Sequence, residues 1–441
     1  MLPVEIAAIW SLLAGYLLLP SGVQIDLPML PPLDKMSIPA VATVLLCWAK
    51  GARSKPPKHS WVIYLLSFAF IISPIFTSFN NSYELPIAKG SIPGFYPLDG
   101  LKLAGRNLIL LGPFYVGKHY LGTDEARASL LKALPTAALF YSLPMLVEIR
   151  LSPQLHRWVY GFFPHQFAQQ YRNGGFRPVV FLDHGLQVAL FASLAVIASL
   201  VIVRLRGRIM QIPVPAVAAF LGVMLVLCKS LGALVYAVVL APLILFTRPR
   251  AWTKIACAIL LVVCAYPALR WHGLIPVEQI SRAATGVSAD RSSSFDTRVN
   301  NEGQLLAKAQ EKPLFGWGTW GRNRIYDSYG NDISITDGEW IIEFGTFGWL
   351  GYLSLFGLFA AAGFRASRAI GNRTDTGAMI VGGLSLLLAI NVIDLLPNSN
   401  LTPLTFLLAG SVASASRVRA AKRRPIRSRR PVRSSVAVPA Q

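Results

Sequence analysis

Apolar residues in this chain gather into blocks of roughly 17–22 residues, the length a helix needs to cross the hydrocarbon core of a bilayer. That spacing constrains the fold more than any motif does. The blocks fall at 4–20, 36–50, 61–79, 101–120, 130–149, 181–203, 211–229, 231–247, 251–269, 339–363, 376–396 and 401–416. They predict an all-α integral membrane protein with about twelve transmembrane helices. The composition agrees, since 54% of 441 residues are apolar and only 14% charged, far from the balance of a soluble chain. The first block lacks a basic leader and a small-residue cleavage pattern, so it is expected to be a retained span rather than a signal peptide.

Lysine and arginine orient the chain. With the N-terminus inside, the basic clusters Lys50 to Lys58, Lys118 to Lys132, Arg204 to Arg208, Arg248 to Lys254 and Arg365 to Arg373 all fall on the cytoplasmic side. Nine more basic residues lie between Arg417 and Arg433. The positive-inside bias then places both termini in the cytoplasm. It makes 21–35, 80–100, 150–180, 270–338 and 397–400 the outer loops. The net charge of +21 follows from the same bias and from attraction to anionic headgroups, so no nucleic-acid partner is expected. The tail after residue 417 is basic, proline-punctuated and without apolar periodicity, and is expected to be disordered at the membrane surface.

Several chemistries have no sequence support. Cys47, Cys228, Cys257 and Cys264 all lie in apolar blocks, so no disulfide framework can be read. No CxxC pair, metal-ligand spacing, Walker motif or GxGxxG fingerprint occurs.

Charged residues beside membrane helices are costly and tend to mark function. In the expected topology they collect at the outer ends of the spans, as Arg106, Glu148, Arg150, Arg172, Arg177, Asp183, His184, Asp337, Glu339, Glu343 and Asp394. Loop 150–180 is aromatic and long enough for one or two short interfacial helices. Its aromatics could form an acceptor-sugar platform, but the plainer reading is an aromatic belt at the membrane interface. Its Asn173-Gly174-Gly175 turn brings Arg172 and Arg177 near one another.

In the larger loop, Ser294 or Asp296 is expected to cap a helix running to about Glu311. Arg298 lies two turns before Leu305 on the same face, so it needs an anionic partner. Glu302, one turn along, is the local choice, and a diphosphate held bidentately is the functional one. Glu339 and Glu343 stand one turn apart at a helix N-terminus, where the dipole favours carboxylates, and Asp337 reads as N-cap or as base. His184 is a further possible base, or a satisfied structural histidine.

The stretch 292–353 carries the Arg298 helix, the Pro313-Leu314-Phe315-Gly316-Trp317-Gly318 turn and the run Glu343-Phe344-Gly345-Thr346-Phe347-Gly348-Trp349-Leu350-Gly351. This stretch resembles the signature region of the bacterial O-antigen ligase and polymerase family, with a weaker echo from Gly174 to Leu190. The resemblance implies a helical membrane glycosyltransferase that draws glycan from a polyprenyl-diphosphate carrier, with no cofactor, no nucleotide sugar and no metal. It implies that Arg298 and Arg177, with Arg172, hold the diphosphate, while a base deprotonates the acceptor hydroxyl. Many members carry a histidine just before the span that follows the large loop. This chain reads Ile335-Thr336-Asp337-Gly338-Glu339 there, leaving Asp337, Glu339 or His184 as the base, or none.

The sequence reading is therefore an inner-membrane polysaccharide polymerase or ligase acting on the periplasmic face. The expected partners are a polyprenyl-diphosphate-linked oligosaccharide, an acceptor glycan or lipid A core, the membrane, and other polysaccharide export proteins. Its expected parts are nine spans within 1–269, the periplasmic loop 270–338, three spans within 339–416 and the tail 417–441. The rival is a transporter or flippase of lipid-linked sugars without covalent chemistry. Pro135, Pro144, Pro213, Pro215 and Pro242 would supply its broken helices. A non-catalytic assembly subunit is a second rival.

Overall fold

The computed structural model describes residues 2–28, 30–51, 60–172, 174–276, 279 and 289–416, with side chains in the last stretch described from 298 onward. Each of the twelve apolar blocks contains a helix: α1 (Val4–Leu18), α2 (Ser37–Ala49), α3 (Trp61–Phe79), α4 (Pro97–Tyr120), α5 (Asp124–Leu151), α7 (Gly185–Arg204), α8 (Val214–Leu227), α9 (Leu231–Phe246), α10 (Pro249–Trp271), α12 (Glu339–Ile370), α13 (Thr376–Asp394) and α14 (Pro403–Ala413). Two more, α6 (Leu155–Tyr160) and α11 (Ala289–Gln310), lie in the two long loops. Among the described residues, six of these helices, α3, α5, α7, α10, α12 and α13, are long and apolar enough to cross a membrane. The expected basic tail falls outside the described residues.

Among the six long apolar helices, α7 and α13 are the most enclosed, whereas α3 and α10 turn much of their surface outward. That outward surface carries Trp61, Leu65, Phe68, Leu261 and Val262. An exposed apolar belt of this kind suits lipid rather than water. Close packing comes from small residues, as in other helix pairs that meet in lipid. A Cβ on Gly410 would stand 1.9 Å from the Phe114 carbonyl oxygen, and one on Gly117 2.4 Å from that of Leu407. Thus α14 and α4 touch backbone to backbone.

The two late motifs interlock. Helix α12 breaks at Gly348, whose φ of 61° and ψ of −160° leave helical space. A break frees carbonyls on one side and N–H groups on the other, and each needs a partner away from water. The Pro313–Gly318 turn supplies them. Trp317 and Gly318 donate N–H to the Gly345 and Thr346 carbonyls at 2.9 Å each, while Trp349 and Leu350 donate to Pro313 (2.7 Å) and Leu314 (3.1 Å). Gly316 and Gly348 permit the approach, since a Cβ on either would stand 2.4 or 2.5 Å from the opposing backbone.

Buried polar groups then pin the turn. Thr77 donates to the Phe315 carbonyl (2.6 Å), and Asn81 to that of Gly316 (3.0 Å). Arg322, 0% exposed, donates to the carbonyls of Trp317, Tyr83 and Pro93.

The prolines behave otherwise than expected. Pro135 and Pro144 sit inside a continuous α5 and Pro242 inside α9, while Pro213 and Pro215 begin α8. The lost N–H of a proline is tolerated there, and the non-helical break lies at a glycine instead.

At the end of the bundle away from Arg298, the basic residues brace neighbouring helices. Arg204 donates to the carbonyls of Ile244, Leu245 and Thr247 at the end of α9, and Arg127 donates to Ser414 after α14. A cavity of about 230 Å³ near them is lined by Arg127 and Arg373. These pair with Asp124 (3.1 Å) and Asp375 (2.6 Å), which makes the cavity a structural junction.

Candidate functional site

Helix α11 leads to the site. Its apolar face buries Leu305, Leu306 and Ala309, which seats it beside the start of α12. It spans Ala289–Gln310, so Ser294 and Asp296 lie inside the helix and not at its cap. From this seat Arg298 Nε reaches Asp337 Oδ2 at 2.9 Å, both side chains more than a third exposed. The expected local partner, Glu302, forms no ion pair among the described residues. Tertiary placement decides this: Asp337 ends the loop just before α12, where its carboxylate meets the Arg298 guanidinium. The same contact displaces Asp337 from its expected capping role, and the N-cap of α12 is Gly338, with no side-chain cap.

Glu302 occupies the adjoining space. Trp340 Nε1 donates to its Oε1 at 3.4 Å. Arg270, at the end of α10, donates to the Val299 carbonyl (3.3 Å), and Tyr266 packs edge-on to Trp340 at 4.8 Å. Burial pushes the Glu302 carboxyl up to about 7, against the Trp340 hydrogen bond and the nearby positive charges of Arg270 and Arg298. By sequence spacing Glu302 is only the local ion-pair choice for Arg298. Its surroundings come from α10 and α12, and no local pattern announces them.

His184 caps α7, its Nδ1 accepting the Leu186 N–H at 3.1 Å. Its ring meets that of His165 edge-on at 5.0 Å. Burial, then the positive fields of His165, Arg177, Arg298 and Arg172, push its imidazole down to about 4. The three arginines singled out from sequence thus all lie within electrostatic reach of one histidine. A neutral His184 whose Nδ1 accepts carries its proton on Nε2 and so offers a donor.

The predicted Arg172–Arg177 turn is a short hairpin, Tyr171–Arg172 against Gly175–Phe176. Arg172 is exposed, whereas Arg177 is buried and donates from Nη2 to the Lys229 carbonyl between α8 and α9 (3.0 Å). The long aromatic loop also forms the expected short helices, α6 and a 3-10 turn over Phe167–Gln170.

Other outer-end acids stand apart from this cluster. Glu148 accepts N–H groups from Leu155, Val179 and Val180 at 2.7–2.9 Å, which makes it a tie between α5 and the aromatic loop. Asp394 accepts from Tyr236, Asn398 and Asn400. Glu339 accepts from the Ser399 hydroxyl, and Glu343 is buried one turn along, with Oε2 lacking a hydrogen bond among the described residues. Arg106 is the cation acting on both glutamates.

Among the described residues no three His, Cys, Asp or Glu side chains converge as a metal-ligand set. No protein-family model matches the chain, and no curated protein matches its sequence.

Proposed function

We propose that this chain is a bacterial inner-membrane glycosyltransferase of about twelve spans, with both termini cytoplasmic and its site facing the periplasm. It takes glycan from a polyprenyl-diphosphate carrier and passes it to an acceptor hydroxyl, lengthening or attaching an exopolysaccharide or O-antigen. Polymerase is favoured narrowly over ligase, because Asp337-Gly338-Glu339 stands where many members of the resembled family carry a histidine, which weakens the ligase match. The observation that carries the reading is that Asp337 orients Arg298 through its Nε edge at 2.9 Å, in a site where the positive fields of Arg298, Arg177 and Arg172 all reach His184. Preorganised guanidinium groups stabilise the charge that develops on a departing diphosphate, and the two Nη groups of an arginine fit it bidentately. Arg177 has part of its fork committed to Lys229, so Arg298 and Arg172 are assigned the larger share of the phosphate contacts.

A transporter reading draws support from one feature, the discontinuous α12. The Pro313–Gly318 turn pairs two of the carbonyls and two of the N–H groups at that break, which makes the break a packing feature of the turn.

The test is polymer length and lipid-linked intermediates in cells lacking the native gene, complemented with wild type or Arg298→Ala at matched abundance. Accumulation of single repeat units on the carrier in the variant supports a polymerase. Full-length lipid-linked chains would indicate a ligase, and normal polymer in both strains would refute the assignment.

A further inference from the structure

We propose that Glu302 is the group that takes the proton from the acceptor hydroxyl; this rests on the transfer reaction inferred above. The geometry selects it by the commitments of the other candidates. Asp337 is held in an ion pair by Arg298 Nε at 2.9 Å. His184 Nδ1 already accepts the Leu186 N–H, so Nε2 of the neutral ring is a donor. Glu339 is bonded to Ser399, and the cation acting on it and on Glu343 is Arg106, not Arg298. Glu302 alone of these acids shares the Arg298 cluster with no ion pair among the described residues, and its one hydrogen bond, from Trp340, is long.

The groups facing Glu302 are known from each packed element. They are Arg270 and Tyr266 on α10, Arg298 on its own helix, Asp337 before α12 and Trp340 on α12. Burial outweighs the two arginines and holds the carboxyl at about 7, near the value a general base requires to act in neutral surroundings.

The step balances within the site. Glu302 takes the acceptor proton as the acceptor oxygen bonds to the anomeric carbon. The bond from that carbon to the phosphate oxygen breaks, and the lipid diphosphate leaves with the electron pair beside Arg298 and Arg172. The proton then passes from Glu302 to water.

The experiment compares wild type, Glu302→Gln, Glu302→Asp and Arg298→Ala in full-length protein at matched abundance. It reads glycan transfer in membranes across pH, and binding of polyprenyl diphosphate without glycan by purified protein. Glu302→Gln is expected to lose transfer by roughly 10²–10⁴-fold while still binding the probe. Wild-type transfer should fall as pH drops below about 7, and Glu302→Asp should keep partial activity with that acid limb displaced. If Glu302→Gln transfers at the wild-type rate while Arg298→Ala does not, the assignment is overturned and the proposed function stands. Loss of probe binding together with transfer in Glu302→Gln would make Glu302 a structural member of the cluster and also overturn it. Absence of any transfer by wild type would remove the proposed function itself, and this assignment with it.

Discussion

Arg298 shows how a single residue's meaning depends on what tertiary contact supplies. Sequence spacing offered it Glu302 on its own helix, and the fold gives it Asp337 instead. The pair is more than a third exposed, so its contribution to stability is small, and its consequence is orientation of the fork. Arg298→Ala should therefore leave the protein folded in the membrane and lower transfer by about 10²–10³-fold, measured as polymer per unit of protein. Arg298→Lys should also be severely impaired, because a point charge replaces a planar fork; normal polymer in that strain would exclude bidentate phosphate binding.

His184 carries a prediction of another kind. Its folded value of about 4 lies below the ordinary 6.5, so the folded state binds fewer protons than the unfolded state between these limits. Its contribution to stability is then full above about pH 6.5 and is lost as pH falls through about 4. Thermal unfolding of the purified protein should show this acid loss, and His184→Asn should flatten it.

At the scale of elements, the break in α12 and the Pro313–Gly318 turn form one unit held by four backbone hydrogen bonds. Both stretches were visible as motifs, but a motif does not state what it pairs with. Glycine is required at 316 and 348 by positive φ together with backbone contact, and either demand alone would strain a side chain. Gly348→Ala and Gly316→Val should each destabilise the protein by about 1–3 kcal/mol, read as an earlier thermal transition in detergent. A transition unchanged in both variants would mean that the turn does not support α12.

At the scale of the whole molecule, the enclosed apolar helices α7, α13 and α14 pack among others, such as α3 and α10, that turn apolar surface outward. Packing of α4 on α14 rests on backbone contact at Gly117 and Gly410. Gly410→Leu should push these helices apart and lower abundance in the membrane, measured by quantitative blot, without altering the activity of the remaining folded protein in proportion. Removal of the chain after Arg417 should change abundance or orientation more than turnover, since those basic residues serve topology in the sequence reading. Loss of turnover at unchanged abundance would refute that role.

Twelve apolar blocks gave twelve helices because block length and hydrophobicity act locally, residue by residue, on the choice between helix and coil. The Arg172–Arg177 hairpin and the short helices of the aromatic loop were readable for the same reason: turn residues and aromatic runs act over a few positions. Side-chain partnership does not. The Arg298–Asp337 pair, the surroundings of Glu302 drawn from α10 and α12, and the insertion of one loop into a broken helix join residues far apart in the chain. Charges and freed backbone groups find their partners only after the helices have packed, and that step belongs to the tertiary structure.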